Sequence, residues 1–180
     1  MSSLLCTALA LAAAPVQGVP FLVEVGASRG IGPYASPPGL AAGLAAADFD
    51  RDGDVDLFVP NGPGAPDQLY VNDGSGHFTE QAAAFNLDVD GNHRGALWFD
   101  ADGDRDLDLV TGAPTVRLHQ QLASGVFREV TLGCGFDRDL ASFSDSHVGG
   151  LAAGDVDGDG DLDLLVTIWE GLAYLFINDG

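Results

Sequence analysis

The sequence predicts an all-β fold of about three similar modules, and three observations carry that prediction. Aspartate-rich runs recur from Asp48, Asp100 and Asp155. Each leads directly into a short apolar, β-compatible run: DLFV, LDLV and LDLLVTI. A further element recurs downstream: LYVNDGSGHFTE from Leu69 aligns without a gap to LHQQLASGVFREV from Leu118, and LFINDG from Leu175 opens the same element. Several landmarks repeated in a fixed order mark one structural unit copied along the chain. Multi-stranded units of roughly 40–55 residues have the size of β-propeller blades. The expected architecture is therefore a set of about three propeller blades.

The elements follow in chain order. The first residues read MSSLLCTALALAAAPVQG, an apolar stretch from Leu4 to Ala14 followed by the small residues of a signal-peptidase site. Residues 1–18 are expected to be a signal peptide, too short to cross a bilayer as a helix. Residues 19–180 are expected to form the repeats, in a secreted or cell-surface protein. Cleavage after Gly18 would remove Cys6 and leave Cys134 without a disulfide partner, so some other cross-link must serve an exported fold of this size. A buried, inert thiol is expected at Cys134.

Within each module a glycine (Gly43, Gly95, Gly150) stands at the same distance before the first aspartate. The strands after the acidic runs come next. Leu69-Tyr70-Val71 then enters Asn72-Asp73-Gly74, a hairpin signal, with Phe78 in the following strand. Trp98, Trp169 and Tyr174 are expected in core or inter-blade packing. His77 and His119 are expected to face solvent, while His93 and His147 precede their acidic loops at nearly equal distances and share a structural position.

The charge is as informative as the pattern. Asp plus Glu number 27 against 7 Lys plus Arg, a formal charge of −20, while hydrophobic residues make up 46% of the chain. Such a charge repels nucleic acid and anionic membranes and attracts cations, and the apolar content argues for a folded core. Carboxylates needed only for solubility would be scattered. Here they cluster as Asp48, Asp50, Asp52, Asp54 and Asp56; Asp100, Asp102, Asp104, Asp106 and Asp108; and Asp155, Asp157, Asp159, Asp161 and Asp163.

Ca²⁺ takes 6–8 oxygen ligands, and a tight loop with a short carboxylate at every second position can supply them. In each loop the first, third, fifth and ninth residues offer side chains and the seventh (Asp54, Asp106, Asp161) offers its carbonyl. Gly53 and Gly160 suit the turn between them. The middle loop has Arg105 instead, a cation near the metal in a strained turn, which makes this the weakest site expected. In water two carboxylates about 7 Å apart repel by roughly 0.6 kcal/mol, so several such pairs in one loop oppose folding until a cation neutralises them. An EF-hand fits poorly, because its twelfth position would hold Val59, Thr111 and Val166 rather than Glu.

No phosphate-binding glycine loop, C-x-x-C pair or H-E-x-x-H motif is present. Ser144, Asp145, Ser146 and His147 have triad-like residue types, but adjacency in sequence is not triad geometry and no G-x-S-x-G elbow accompanies them. The chain is expected not to be an enzyme.

The D-x-D-x-D-G-x-x-D-L loops at Asp48 and Asp155 and the N-D-G-x-G-x-F element at Asn72 to Phe78 resemble those of FG-GAP/VCBS repeat proteins. In those proteins the propeller blades are similar to those of the integrin α-chain. Phe127-Arg128-Glu129-Val130-Thr131 and the segment from Phe21-Leu22-Val23-Glu24-Val25 to Gly30-Ile31 look like the cartilage acidic protein and ASPIC/UnbV-related group. The resemblance implies a secreted or cell-surface protein that binds calcium in these loops and acts in adhesion, with an extracellular protein or glycan as partner. Its alternative is the accessory propeller of a larger secreted hydrolase or lyase. Closed propellers of this group have about seven blades; with about three, and an end at Asn178-Asp179-Gly180 inside a repeat element, the chain is expected to be an incomplete propeller.

Overall fold

The computed structural model describes residues 22–33, 43–112, 116–136, 148–169 and 171–180. The expected signal peptide, and Ser144, Asp145, Ser146 and His147, lie outside these residues.

The strands group into three antiparallel meanders. β1 (Ala45–Ala47), β2 (Asp56–Val59), β3 (Gln68–Asn72) and β4 (Phe78–Glu80) form the first sheet in that order. β5 (Gly95–Phe99), β6 (Asp108–Gly112), β7 (Val116–Gln121) and β8 (Phe127–Glu129) form the second. β9 (Val148–Gly154), β10 (Asp163–Ile168) and β11 (Leu172–Phe176) form the third, with β10 in the centre. Short 3-10 helices at Gly26–Arg29 and Ala82–Phe85 accompany the strands. The fold is all-β, in three blade-like sheets, as the repeats predict.

The register repeats as faithfully as the sequence. Ala47 lies opposite Asp56, Phe99 opposite Asp108, and Gly154 opposite Asp163. Each acidic run therefore connects the first strand of a sheet to the second, and its last aspartate opens that second strand. The first strands were not foreseen. β1 is AAA and β9 is VGGLAAG, poor in the branched and aromatic residues that mark strands. Packing explains them: β5 touches both β1 and β9, so these strands line the contacts between modules. The Gly43 N–H donates to the Arg94 carbonyl at 2.6 Å, and a Cβ on Gly112 would stand 2.7 Å from Val148 Cγ1. A side chain at Gly112 would have to displace Val148, whereas one at Gly43 would meet only ordinary van der Waals contacts.

The core lies between sheets rather than within one. Phe49, Phe58 and Leu69 of the first module meet Leu109 and Phe127 of the second. Trp98 stacks on Phe49, with centroids 5.6 Å apart and planes 12° apart, and meets Phe58 edge-on at 6.1 Å. On the other face Val110, Val116 and Leu118 pack against Leu164, Val166 and Ile168. Successive residues of a strand point to opposite faces, so Leu109 serves one interface and Val110 the other. β6 is consequently buried along its whole length, whereas β2 alternates.

Three expectations are corrected. Trp169 is 79% exposed rather than packed between blades, because it follows the end of β10 at the turn into β11. Cys134 is exposed rather than buried, its Sγ donating to the Thr131 carbonyl at 3.1 Å. His119 is buried rather than solvent-facing: β7 is an inner strand, and the ring lies 3.4 Å from Thr111 Oγ1. Burial holds its imidazole neutral, lowering its pKa to about 4. Trp98 and Tyr174 do pack between modules, and His77 is exposed.

Candidate metal centres

Each acidic loop is built by the same backbone path. Two residues in every loop take the left-handed conformation, at the fourth and sixth positions. They are Arg51 (φ 61°) and Gly53 (φ 99°), Gly103 (75°) and Arg105 (77°), and Gly158 (84°) and Gly160 (105°). The strain expected at Arg105 is present, but the first loop bears the same strain at Arg51, so strain does not single out the middle loop. Only the third has glycine at both positions.

These turns fold the carboxylates inward onto backbone N–H groups. Asp100 accepts from Gly103 at 2.8 Å and from Arg105 at 2.9 Å. Asp155 accepts from Gly158 at 2.6 Å and Gly160 at 3.2 Å, and Asp48 from Gly53 at 3.1 Å. The ninth carboxylate is tied to the end of the third strand. Asp56 accepts from the Asn72 N–H at 2.8 Å, Asp108 from Gln121 at 2.8 Å, and Asp163 from Asn178 at 2.9 Å.

The structure brings the first, third and ninth aspartates together in all three loops. Carboxylate oxygens of Asp48, Asp50 and Asp56 lie within 4.8 Å of one another, as do those of Asp100, Asp102 and Asp108, and of Asp155, Asp157 and Asp163. Two oxygens bound to one Ca²⁺ at about 2.4 Å can be no more than about 4.8 Å apart, so each trio has the span of a shared cation. The fifth-position aspartates do not join the trios. Asp52 and Asp104 instead accept from the N–H groups of Asp54 and Asp106 at 3.0 and 2.8 Å, while Asp159 groups with Asp157 and Asp179 on the exposed side of the third loop. The seventh-position side chains also point elsewhere. Asp106 pairs with Arg51 of the first loop at 2.9 Å, Asp54 lies against Gly74, and Asp161 against Gly180.

The ninth carboxylates are the costly members. Asp56, Asp108 and Asp163 are each almost wholly buried. Burial is the main cause that raises Asp56 to about 6; the Asn72 N–H opposes it, and the charges of Asp50 and Asp52 add to it. Burial likewise raises Asp108 to about 6, against the Gln121 and Ala101 N–H groups, with Asp102 and Asp104 adding repulsion. Asp50 and Asp157 are also raised, by burial first and by neighbouring carboxylates after it. In the first loop, Asp48 Oδ1 and Asp56 Oδ2 are buried without a hydrogen bond of normal geometry, although the Phe49 N–H stands near enough to Asp56 to weaken its shift. Buried, unpaired oxygens of this kind are expensive unless a cation completes them. All-oxygen donors suit a hard divalent ion.

Four participants are not evident from the sequence: Asp179, Arg51 as the partner of Asp106, and the side chains of Gln121 and Asn178. Asn178 lies in the repeated N-D-G element, so its signal was visible but read only as a turn. A second buried polar pair lies away from the loops. His93 Nδ1 meets Asp67 Oδ2 at 2.5 Å, and Asp67 Oδ1 accepts from the Asn61 N–H at 2.8 Å. His93 and Asp67 are both sealed from solvent, which suits a structural clamp on the β2–β3 connection.

Residues 48–111, from the first acidic loop into β6, match the FG-GAP-like repeat family. No curated protein matches the chain.

Proposed function

We propose that this chain is a calcium-binding propeller segment, secreted or held at the cell surface, that works by binding rather than catalysis. One observation carries the proposal: the same three carboxylates converge within 4.8 Å in every loop, with the ninth buried each time. The match to FG-GAP-like repeats over residues 48–111 supports it. Asp48, Asp50 and Asp56, with their counterparts in the other loops, are the side-chain ligands, and the carbonyls of Asp54, Asp106 and Asp161 complete the sets. Asp52, Asp104 and Asp159 shape the loops through backbone hydrogen bonds. Calcium when bound supplies positive charge at the head of each second strand. The chain's own residues supply the register, holding first and second strands opposite one another.

Extracellular calcium modules work at roughly 10⁻⁴–10⁻³ M, a range that suits open, solvent-facing loops and the export expected of residues 1–18. An extracellular protein or glycan partner in adhesion belongs to the same proposal, as does kinship with the cartilage acidic protein and ASPIC/UnbV-related group. That kinship rests on the resemblance of Phe127-Arg128-Glu129-Val130-Thr131 and of the segment from Phe21 to Ile31. The test is equilibrium calcium binding together with thermal unfolding. Binding to the folded form alone adds RT ln(1 + [L]/Kd), about 1–2 kcal/mol per site at the roughly 5- to 50-fold excess that 5 mM CaCl₂ provides. Addition of 5 mM CaCl₂ should therefore raise the melting temperature and a chelator should reverse the gain. An unchanged melt with no binding heat would overturn the proposal.

A further inference from the structure

In the second and third modules, the side chain that closes the module reaches into the acidic loop of the module before it. Asn178 follows β11. Its main-chain N–H donates to Asp163 Oδ1 at 2.9 Å, and its Nδ2 donates to the Leu162 carbonyl of its own loop at 3.3 Å and to the Ala101 carbonyl of the middle loop at 2.9 Å. Gln121 stands at the same repeat position in the second module. Its N–H donates to Asp108 Oδ1 at 2.8 Å, and its Nε2 reaches the Phe49 carbonyl of the first loop at 3.4 Å. Asn72, at this position in the first module, donates to its own loop at the Val55 carbonyl, 3.2 Å away.

The acceptors are as regular as the donors. Phe49 lies between Asp48 and Asp50, and Ala101 between Asp100 and Asp102. Each is therefore the backbone spacer between the first and third carboxylates of its trio. Ala101 is also held from its other side, its N–H donating to Asp108 Oδ2 at 2.9 Å. Asn178 and Gln121 thus each touch the ninth carboxylate of their own loop and the carbonyl between the first and third carboxylates of the preceding one.

We propose that Gln121 and Asn178 are positioning residues that couple neighbouring loops, so that a divalent cation in one loop raises the affinity of the loop before it. The proposal rests on the calcium reading above. A cation that fixes Asp163 fixes the Asn178 backbone beside it, and the Asn178 amide then holds Asp100 and Asp102 at ligand spacing. Part of the ordering cost of the middle loop is met before its own ion arrives, which is pre-organisation. Coupling of this kind is reciprocal, so an ion in the middle loop must equally favour the third. Arg51–Asp106 forms a second link between the first and middle loops. It is solvent-exposed and screened by salt, whereas the amide contacts are not.

The test follows the loop glycine amides Gly53, Gly103 and Gly160 by NMR during CaCl₂ titration of the full chain in 0.5 M NaCl. The third loop is silenced by Asp155→Asn with Asp157→Asn, with and without Asn178→Leu. A single hydrogen bond is worth a factor of about 3 to 10. Silencing the third loop should weaken calcium binding at Gly103 by that factor, and Asn178→Leu should abolish the difference. Gln121→Met, a near-isosteric change, should likewise remove the dependence of Gly53 on the middle loop, and gives an independent reading if Asn178→Leu fails to fold. An affinity at Gly103 that ignores the third loop, or a dependence that survives Asn178→Leu, overturns the coupling and leaves the calcium reading intact. Absence of any calcium-induced shift overturns both.

Discussion

At the scale of single residues, two arginines stand where the backbone favours glycine. Arg51 and Arg105 both have positive φ, a conformation that costs a non-glycine residue about 1–2 kcal/mol. Arg105→Gly should therefore stabilise the metal-free protein by about 1 kcal/mol, or about 2–4 °C in melting temperature for a chain of this length. A calorimetric scan showing no gain would mean that the left-handed turn at Arg105 is not strained. Arg51→Gly should gain less, because the ion pair with Asp106 is lost. A different residue does distinguish the middle loop. Gln120 Nε2 donates to Asp102 Oδ2, while Asp102 Oδ1 already accepts from the Asp104 N–H at 3.2 Å. The equivalent positions are Val71 and Ile177, whose side chains carry no donor. Gln120→Val should raise the calcium affinity of the middle loop a few-fold, about the worth of one hydrogen bond, read from the Gly103 amide in a titration. A lower affinity would mean that Gln120 orients Asp102 for the ion instead of competing for it.

At the scale of the loop and its strands, the proposed calcium sites require protons and calcium to act in opposite directions. Asp56 and Asp108 are raised from 3.8 to about 6 in the metal-free fold, mainly by burial. A carboxyl with a raised folded pKa binds its proton more tightly when folded, so its stabilisation is complete below about pH 4 and is lost as pH rises through about 6. Asp73, lowered by its hydrogen bonds with Ser75, acts only below pH 3.8 and leaves this window unaffected. His119, lowered from 6.5 to about 4 by burial, acts the other way, losing stability as pH falls below 6.5. It is one group against two raised carboxyls, so with a chelator present the melting temperature should still fall between pH 4.5 and 7, less steeply than the carboxyls alone would give. With calcium it should rise over the same interval, since the ion needs the ionised carboxylates. Parallel slopes in the two conditions would mean that Asp56 and Asp108 do not meet the ion.

The same element shows what sequence can and cannot reveal. DLFV, LDLV and LDLLVTI announce β2, β6 and β10 because buried strands need apolar side chains. β1 and β9 do not announce themselves, because their Ala and Gly have low strand propensity; in β9, Gly149 and Gly150 lie close against the side chains of Trp169 and Thr167. The alternating aspartates were legible as a group of candidate ligands, but the division of labour among them was not. Which carboxylate turns inward depends on left-handed residues at the fourth position, and Arg51 does not advertise one. His119 was misread because the alternation of β7 is hidden by polar residues, VRLHQQ, on a strand with both faces covered.

At the scale of the whole molecule, the modules are joined by cores that belong to two sheets at once. Leu109 faces the first module and Val110 the third, both fully buried. Leu109→Ala should cost about 2–5 kcal/mol and should destabilise the first two modules together, as one transition in denaturant. Two separated transitions would show that the sheets fold independently. The three acidic loops also neighbour one another in space: Arg51 of the first bonds Asp106 of the second, and a Cβ on Gly103 would lie 3.9 Å from Asp161 of the third. A chain of net charge −20 thus carries most of its excess on one rim, which makes the folded molecule strongly dipolar. On an anion-exchange matrix it should adsorb rim-first and tightly. Millimolar calcium, by cancelling charge at the surface that makes contact, should bring it off the column at distinctly lower salt.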